Sequence, residues 1–153
     1  MTHGFLYPSI RLGERLPIAS KDFRPFNTLQ DRDEKVFYQA CLEGIAFTEA
    51  MVFDLIRSLS GSTKGSLFAM GGTTKSSIGL QIRADVHQKI ITIPANPNSA
   101  FGAAILAAAG YNHQSVAEAS KAMVQLARQI HPRSKYEDFY KSKYLEFLAL
   151  FSK

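Results

Sequence analysis

The sequence has 153 residues, 46% hydrophobic and 20% charged, which is ordinary for one globular domain with its own core. Its single cysteine, Cys41, excludes an internal disulfide, and no uninterrupted apolar run reaches the roughly 18 residues of a membrane span. The net charge is +5, but the basic residues are scattered and no recognised nucleic-acid motif accompanies them, which favours a solvated surface over nucleic-acid binding.

Residues 1–30 are predicted to be irregular. Pro8, Pro17 and Pro25 recur along this segment and oppose regular helix or strand. One short extended piece is compatible with the apolar residues Phe5, Leu6, Tyr7, Ile10 and Leu12. The first helix is therefore expected only after this segment.

A long helix is predicted from Asp31 onward. Asp31 and Glu34 have the spacing of a capping box, and Gly61 is a natural stop at the other end. Between them, apolar residues recur at helical spacing: Phe37, Cys41, Ile45, Phe47, Met51, Val52, Leu55, Ile56 and Leu59. Gly44 lies inside this helix, where glycine costs about 1 kcal/mol relative to alanine, which indicates close packing against another element.

The most informative stretch follows, between residues 67 and 87. The apolar run 67–70 predicts a buried strand that ends at Gly71 and Gly72, and a helix is predicted over about 75–87. Glycines let a ligand approach the backbone closely, and free amides at a helix start favour an anionic or carbonyl group. On these local features a nucleotide site and an ordinary turn both stay open, and the turn is the more common of the two.

A second strand is predicted over residues 90–93, so that strand, helix and strand form a right-handed parallel crossover. Asn96 is expected to cap a helix that has Pro97 at its first position and runs to Gly110. The small side chains of this helix would let it lie tightly on the sheet. Two predicted strands are few for a parallel sheet. The pattern is typical of the tail of a larger α/β domain.

Two further helices are predicted, each with a capping box. Ser115 pairs with Glu118 in the first box, and Ser134 pairs with Glu137 in the second. The last helix carries an amphipathic stripe that is expected to be core: Tyr140, Tyr144, Phe147, Leu148 and Phe151.

Four segments in order resemble the FGGY family of carbohydrate kinases. Residues 13–17 are similar to its Gly-Glu-Arg-Thr-Pro motif, and residues 38–47 to its Tyr-Arg-Ala-Val-Leu-Glu-Gly-Ile-Ala-Phe helix. Residues 71–76, the glycine turn, resemble its Gly-Gly-Gly/Thr-x-x-Ser adenine-nucleotide motif. Residues 101–107 resemble its Leu-Gly-Ala-Ala-Leu-Leu-Ala helix. Together the four segments cover nearly the whole chain.

The resemblance implies an α/β fold, the C-terminal part of an actin-like, ribonuclease-H-like ATPase domain. Residues 1–153 would form a single domain, a partial nucleotide-binding lobe. The implied reaction transfers the γ-phosphoryl group of ATP to a hydroxyl of a sugar or polyol, with Mg²⁺ bridging the phosphates. The family's catalytic aspartate and most groups that hold the metal are expected upstream of this chain, so no catalytic or metal-binding residue is assigned and the isolated chain is expected to be inactive.

The resemblance also assigns nucleotide-binding residues one by one. Gly71 and Gly72 would pass close to the α-phosphate and ribose, Thr73 would add an amide or hydroxyl, and Ser76 falls where some members place an asparagine near the adenine. Thr73 replaces the third glycine and demands an ordinary backbone conformation. Ile78 and Gly79 replace a bulky or aromatic pair common in the motif, and Asn27 stands about where the family often has glycine. These three departures put the substrate assignment in doubt, and the sequence does not identify the sugar.

Other candidates have structural as well as functional interpretations. Asp85 and His87 lie two apart on a helix and point in different directions, so a structural Asp85 and an exposed His87 are expected. Glu14 and Arg15 could pair or could line the interlobe cleft, and a structural loop contact is expected. Glu43 is either a buried, paired carboxylate or a ribose contact, and Cys41 is expected in the core.

Partners and location follow from the same features. ATP and a sugar or polyol are expected as ligands of the full-length enzyme, without nucleic acid or membrane, and a homo-oligomer is possible. The four histidines lack metal-ligand spacing, so zinc is not expected. No secretory signal is recognised at the start, which makes a cytoplasmic location the expectation. The alternative function is a non-catalytic binding or assembly module, and a ligand-free kinase relic is a third hypothesis.

Overall fold

The computed structural model describes residues 3–31, 33–61, 65–111 and 115–152. These ranges hold five α-helices and three strands, namely α1 (Glu34–Ser60), β1 (Leu67–Phe68), α2 (Ser77–His87), β2 (Ile91–Pro94), α3 (Ser99–Tyr111), α4 (Val116–Met123), β3 (Leu126–Ile130) and α5 (Glu137–Ala149). Residues 3–31 contain no helix or named strand. Two isolated antiparallel bridges hold this segment together, Leu6 with Asn27 and Glu14 with Ser20.

Helix α1 is capped two residues later than the sequence predicts. The side chain of Asp33 accepts a hydrogen bond from the Lys35 N–H at 2.7 Å, so Asp33 is the N-cap. Asp31 accepts instead from the Asp33 N–H and forms a small turn upstream, so the predicted Asp31–Glu34 capping box is wrong. The predicted stop is confirmed, since Gly61 adopts φ +63° and its N–H bonds the Arg57 carbonyl.

The three strands form one sheet in the order β1-β2-β3. Strands β1 and β2 are parallel, as predicted, whereas β3 runs antiparallel to β2 and makes the sheet mixed rather than wholly parallel. β3 was not predicted, because four of its five residues are exposed and no apolar alternation marks them. β1 is shorter than the predicted 67–70, although the Ala69 N–H still donates to the Thr92 carbonyl.

The remaining caps agree with the sequence in one case of three. The Ser115–Glu118 capping box of α4 is confirmed. Helix α3 starts at Ser99, and Asn98 rather than Asn96 accepts the Phe101 N–H at 2.8 Å. The predicted Ser134–Glu137 box is wrong, because residues 134–136 form a 3₁₀ turn and α5 begins at Glu137 without a side-chain cap.

Three apolar clusters hold these elements together. Helix α2 packs on the sheet through Leu80 and Ala84. Helices α1 and α5 meet the N-terminal segment in an aromatic cluster whose buried members are Tyr7, Phe47, Tyr140 and Phe147. This cluster confirms that the α5 stripe belongs to the core. Helix α3 packs on α4 through Ile105 and Ala109, not along the sheet as predicted.

Helix α1 is 27 residues long, and its most apolar 18-residue window has a mean hydropathy of 1.2. By length and composition alone such a helix is able to cross a membrane. One such helix is weak support for a span, since the core helix of a soluble protein passes the same test. Here α1 carries the buried carboxylate of Glu43, which pairs with Lys143 of α5.

Candidate functional site

The glycine turn begins where β1 ends, at the carboxyl edge of the sheet. Gly71 adopts φ +76° and ψ −162°, a conformation that is essentially restricted to glycine. Its N–H donates to the Pro97 carbonyl, which ties the turn to the loop after β2. A Cβ built on Gly71 or on Gly72 would meet nothing within 4 Å. The turn therefore presents open backbone to any ligand at this edge.

Two threonines fold the next residues into a 3₁₀ turn, Gly72–Lys75. Thr74 is buried, and its Oγ1 and N–H both donate to the Gly71 carbonyl, at 2.7 and 3.2 Å. Thr73 is exposed and donates its hydroxyl to the Met70 carbonyl at 3.3 Å. Thr73 has no positive φ, as expected for a threonine at the third position of the motif.

Ser76 is the N-cap of α2. Its Oγ accepts the Gly79 N–H at 3.1 Å, and its backbone is extended with φ −92° and ψ 100°. The helix therefore starts at Ser77 rather than at the predicted residue 75. The cap occupies one lone pair of the hydroxyl and leaves its proton available, so the residue retains a donor for a ligand.

The backbone amides supply the polar character of the site. Among the described residues, neither the Gly72 nor the Thr73 N–H has a hydrogen-bond acceptor, as is usual for the first turn of a helix. Both residues are exposed. Residues 70–79 include Lys75 and no carboxylate. This combination favours an anionic or carbonyl-bearing ligand, because residues 70–79 carry no negative charge that would repel it.

Helix α2 is fixed at its far end by a buried carboxylate. Asp85 is fully buried and accepts the Arg133 N–H, Nε and Nη2 at 2.7, 3.0 and 2.6 Å. Gln81 donates both to Asp85 and to the His131 carbonyl. The structural role predicted for Asp85 is thus confirmed. The hydrogen bond to Asp85 raises the pKa of Arg133 above its usual range.

His87 is not exposed as predicted. Its side chain is 5% accessible, and its Nε2 lies 2.8 Å from Glu49 Oε2 on α1. The Phe53 ring of α1 packs edge-on against the imidazole. Asp85 and His87 have separate partners, so the expectation that they do not share a proton is confirmed.

Glu14 and Glu43 both make structural contacts. Tyr7 donates its hydroxyl to Glu14 at 2.8 Å, and the Arg15 N–H donates to the same carboxylate. These two hydrogen bonds lower the pKa of Glu14, the Arg15 contact most, while burial and Glu14 raise that of Tyr7. Glu43 is buried and pairs with Lys143 at 2.5 Å, which supports the paired-carboxylate interpretation. Cys41 is half-buried, and burial raises the pKa of its thiol.

A cleft of about 610 Å³ lies at the opposite end of β1 from the glycine turn. Its walls come from α1, the last turn of α2 and the first turns of α5. The carboxyl ends of parallel strands, not the amino ends, are where ligands usually bind in open α/β sheets. No three His, Cys, Asp or Glu side chains converge on a metal position anywhere in the described ranges, which do not include His113.

Comparison with known proteins decides the family. Residues 2–111 match the family model described as the FGGY family of carbohydrate kinases, C-terminal domain. The chain belongs to this family. Curated relatives include the xylulose kinase of Bacillus subtilis (strain 168), 29% identical over 144 residues. Another is the FGGY carbohydrate kinase domain-containing protein of Homo sapiens, 28% identical over 145 residues.

Solved structures agree on the fold. A xyloylose kinase from Brucella ovis superposes with a TM-score of 0.81 at 27% identity over 97% of this chain and 32% of that one. A xylulose kinase from Rhodospirillum rubrum gives 0.75 at 29% identity over 97% of this chain and 30% of that one. The predicted actin-like ATPase fold is thereby confirmed. The chain aligns over 92% and 90% of its length with the two curated relatives but spans only 29% and 26% of theirs.

One residue at the site was missed by sequence reasoning. Arg128 on β3 donates its Nη2 to the Thr74 carbonyl at 2.8 Å and so contacts the turn from 54 residues away. A lone arginine in an unpredicted strand gives no local signal. The strand also lies beyond residues 2–111, the range that matches the family model.

Proposed function

We propose that this chain is the nucleotide-binding portion of an ATP-dependent carbohydrate kinase and that it is inactive in phosphoryl transfer by itself. The observation that carries the proposal is the open glycine turn at the carboxyl end of β1 and the start of α2. It coincides with the segment that resembles the family's adenine-nucleotide motif. A nucleotide bound there would meet backbone amides, and Lys75 is the one charged side chain in residues 70–79.

Each residue has a role in this proposal. The backbone of Gly71 and Gly72 would approach the α-phosphate and ribose, Thr73 would offer its amide, and Ser76 its hydroxyl proton near the adenine. When bound, ATP supplies the γ-phosphoryl group that a sugar or polyol hydroxyl accepts, and Mg²⁺ neutralises the phosphate charge. The described residues offer no cluster of ligands for that ion, so upstream parts of a full-length enzyme would hold it.

The substrate class follows the named relatives. Several of the compared proteins are described as xylulose kinases, so we propose xylulose as the first sugar to test. The residues that recognise the sugar are expected upstream of this chain. We further propose that the chain forms a single cytoplasmic domain that binds neither nucleic acid nor membrane, and that the full-length enzyme forms homo-oligomers.

Calorimetric titration of the 153-residue chain with ADP and ATP tests the site. We expect saturable, weak binding that Gly72→Asp abolishes, since a carboxylate would repel the phosphates at the open face of the turn. Gly110→Asp is the matched control, because its Cβ also meets nothing within 4 Å yet lies at the end of α3. Equal affinity in wild type and Gly72→Asp would contradict the site. Absence of any binding would favour a kinase relic.

A coupled assay tests the inactivity. With ATP, Mg²⁺ and xylulose, we expect no sugar-dependent ATP consumption by the purified chain, because the family's catalytic aspartate is expected upstream of this chain. Glycerol serves as a second acceptor in the same assay. Sugar-dependent turnover at any measurable rate would overturn the proposed inactivity while leaving the nucleotide site intact.

A binding or assembly module is the second candidate function. Strand β1 is an edge strand, and large apolar side chains near it are exposed, Phe68 at 53% and Met70 at 50%. Unpaired edges and apolar patches recruit partners. Sedimentation equilibrium discriminates: self-association at micromolar concentration supports the module, and a stable monomer at high concentration argues against it.

A further inference from the structure

Arg128 contacts the glycine turn from β3, which is separated from β1 by β2 in the sheet. It lies on β3 opposite Ile93 of β2, and its guanidinium crosses to the far edge to donate to the Thr74 carbonyl at 2.8 Å. Thr74 is 7% accessible, so this hydrogen bond is shielded from water on the turn side. A charged donor makes such a bond roughly twice as strong as a neutral one.

Thr74 connects this contact to the glycine. Its N–H and Oγ1 both donate to the Gly71 carbonyl, so a continuous path of hydrogen bonds runs from Arg128 through Thr74 to Gly71. Gly71 holds the backbone conformation that leaves the face of the turn open. Thr74 thus closes the turn around the free N–H groups of Gly72 and Thr73, which lie between it and Gly71.

The strand that carries Arg128 is itself held in place. Strand β3 is paired with β2, and the segment after it is fastened to α2 by the Gln81–His131 and Arg133–Asp85 contacts. Within the described residues, Arg128 has no carboxylate partner. Its hydrogen bond to the turn is therefore not in competition with an ion pair.

We propose that Arg128 is a positioning residue for nucleotide binding: it anchors the carbonyl side of the Gly72–Lys75 turn, so that the amides at the other end are preorganised toward the ligand. This inference rests on the proposed function and extends it to a strand outside the family match. In a short helical turn the carbonyls and the amides point in opposite directions, so a donor on the carbonyl side does not obstruct the ligand. Preorganisation raises affinity by removing the ordering cost from binding.

The test compares ADP affinity in three variants by calorimetry. We expect Arg128→Met to bind ADP about tenfold more weakly, which is the order of one charge-assisted hydrogen bond. Arg128→Lys, which keeps a charged donor on a long side chain, is expected to recover part of that loss. Gln129→Met is the matched control on the same strand, because Gln129 faces away and bonds Thr92.

Amide hydrogen exchange on the ligand-free chain supplies a second readout. We expect faster exchange in peptides covering residues 70–76 in Arg128→Met, with exchange in α1 unchanged. Unchanged exchange in that segment, or an equal affinity loss in Gln129→Met, would overturn the positioning role. If wild type binds ADP and Arg128→Met binds it equally well, this inference alone fails. If wild type shows no ADP binding, the proposed function fails and the inference with it.

Discussion

Gly44 of α1 lies directly against the carbonyl oxygen of Leu6 in the N-terminal segment, so close that no side chain fits between them. A Cβ at this position would overlap a backbone atom, which has no flexible end to move away. The contact fixes the point where the irregular segment crosses the long helix. It also explains why a glycine is retained in the middle of a helix that is otherwise rich in apolar residues.

Gly44→Ala is therefore expected to destabilise the protein. Overpacking costs about 1–3 kcal/mol, and the higher helix propensity of alanine returns at most about 1 kcal/mol. Gly102→Ala in α3 is the matched control, because its Cβ meets nothing within 4 Å, and we expect it to be stabilising. Urea unfolding of both variants measures the difference. Equal stability of the two variants would show that the Leu6 contact is unimportant.

The pair Glu43–Lys143 joins α1 to α5 inside the aromatic cluster. Both side chains are buried, at 2% and 7% side-chain exposure, and Gln39 and Tyr140 also donate to the carboxylate. Breaking a buried pair leaves one charge uncompensated, which costs about 3–5 kcal/mol, whereas removing both charges is often nearly neutral.

We expect Glu43→Met and Lys143→Met each to lower the free energy of unfolding by about 3 kcal/mol or more, and the double variant to recover most of that loss. Arg57→Met is the control, since the Arg57–Asp54 pair is exposed and such pairs contribute less than about 1 kcal/mol. Chemical unfolding of all four variants completes the cycle. Additive losses would contradict the interpretation as one coupled buried pair.

Some local signals in the sequence predicted local features correctly, although two of the three predicted capping boxes are wrong, and distant contacts decided the rest. Gly61 and the Ser115–Glu118 box were predictable because each cap depends on residues within one turn. The burial of His87 was not, because its partner Glu49 lies 38 residues earlier on another helix. Strand β3 owes its conformation to pairing with β2, since its own residues show no strand pattern.

The candidate site divides in the same way. Gly71 and the residues after it are contiguous in the sequence, so their motif was recognisable. The unusual backbone conformation of Gly71 was not predicted. The Arg128 contact depends on how β3 packs beside β2, and a single-sequence pattern carries no such information. The capping role of Ser76 was likewise hidden, because the 3₁₀ turn delays the start of α2.

Glu49 makes stability depend on acid pH. Burial raises the pKa of this carboxyl, but the hydrogen bonds and charges of His87 and Arg83 outweigh it and lower the pKa to about 2. Because the folded-state pKa lies below the unfolded value of about 4.3, the stabilisation is complete above that value and is lost as pH falls toward 2. The contribution at neutral pH is about 3 kcal/mol.

We expect Glu49→Gln to be less stable than wild type at pH 7, with the difference shrinking between pH 4.5 and 2.5. Glu146→Gln serves as the control, since that carboxylate is exposed on α5 and makes only a long contact with Ser142. Unfolding free energies across this range are the measurement. A difference between Glu49→Gln and wild type that stays constant with pH would contradict the ionic role.

Glycine is expected to be required for different reasons at the two positions: at Gly71 for its backbone conformation, and at Gly72 for ligand access. Gly71→Ala places a Cβ in open space but forces alanine into φ +76°, so we expect a loss of about 1–3 kcal/mol of stability from backbone strain, together with weaker ADP binding. Gly72 has no positive φ, so Gly72→Ala is expected to leave stability nearly unchanged while its methyl group hinders ligand approach. Thermal unfolding and ADP titration of both variants separate conformation from access. A stability loss in Gly72→Ala as large as that in Gly71→Ala would mean that strain at Gly71 is not what distinguishes the two positions.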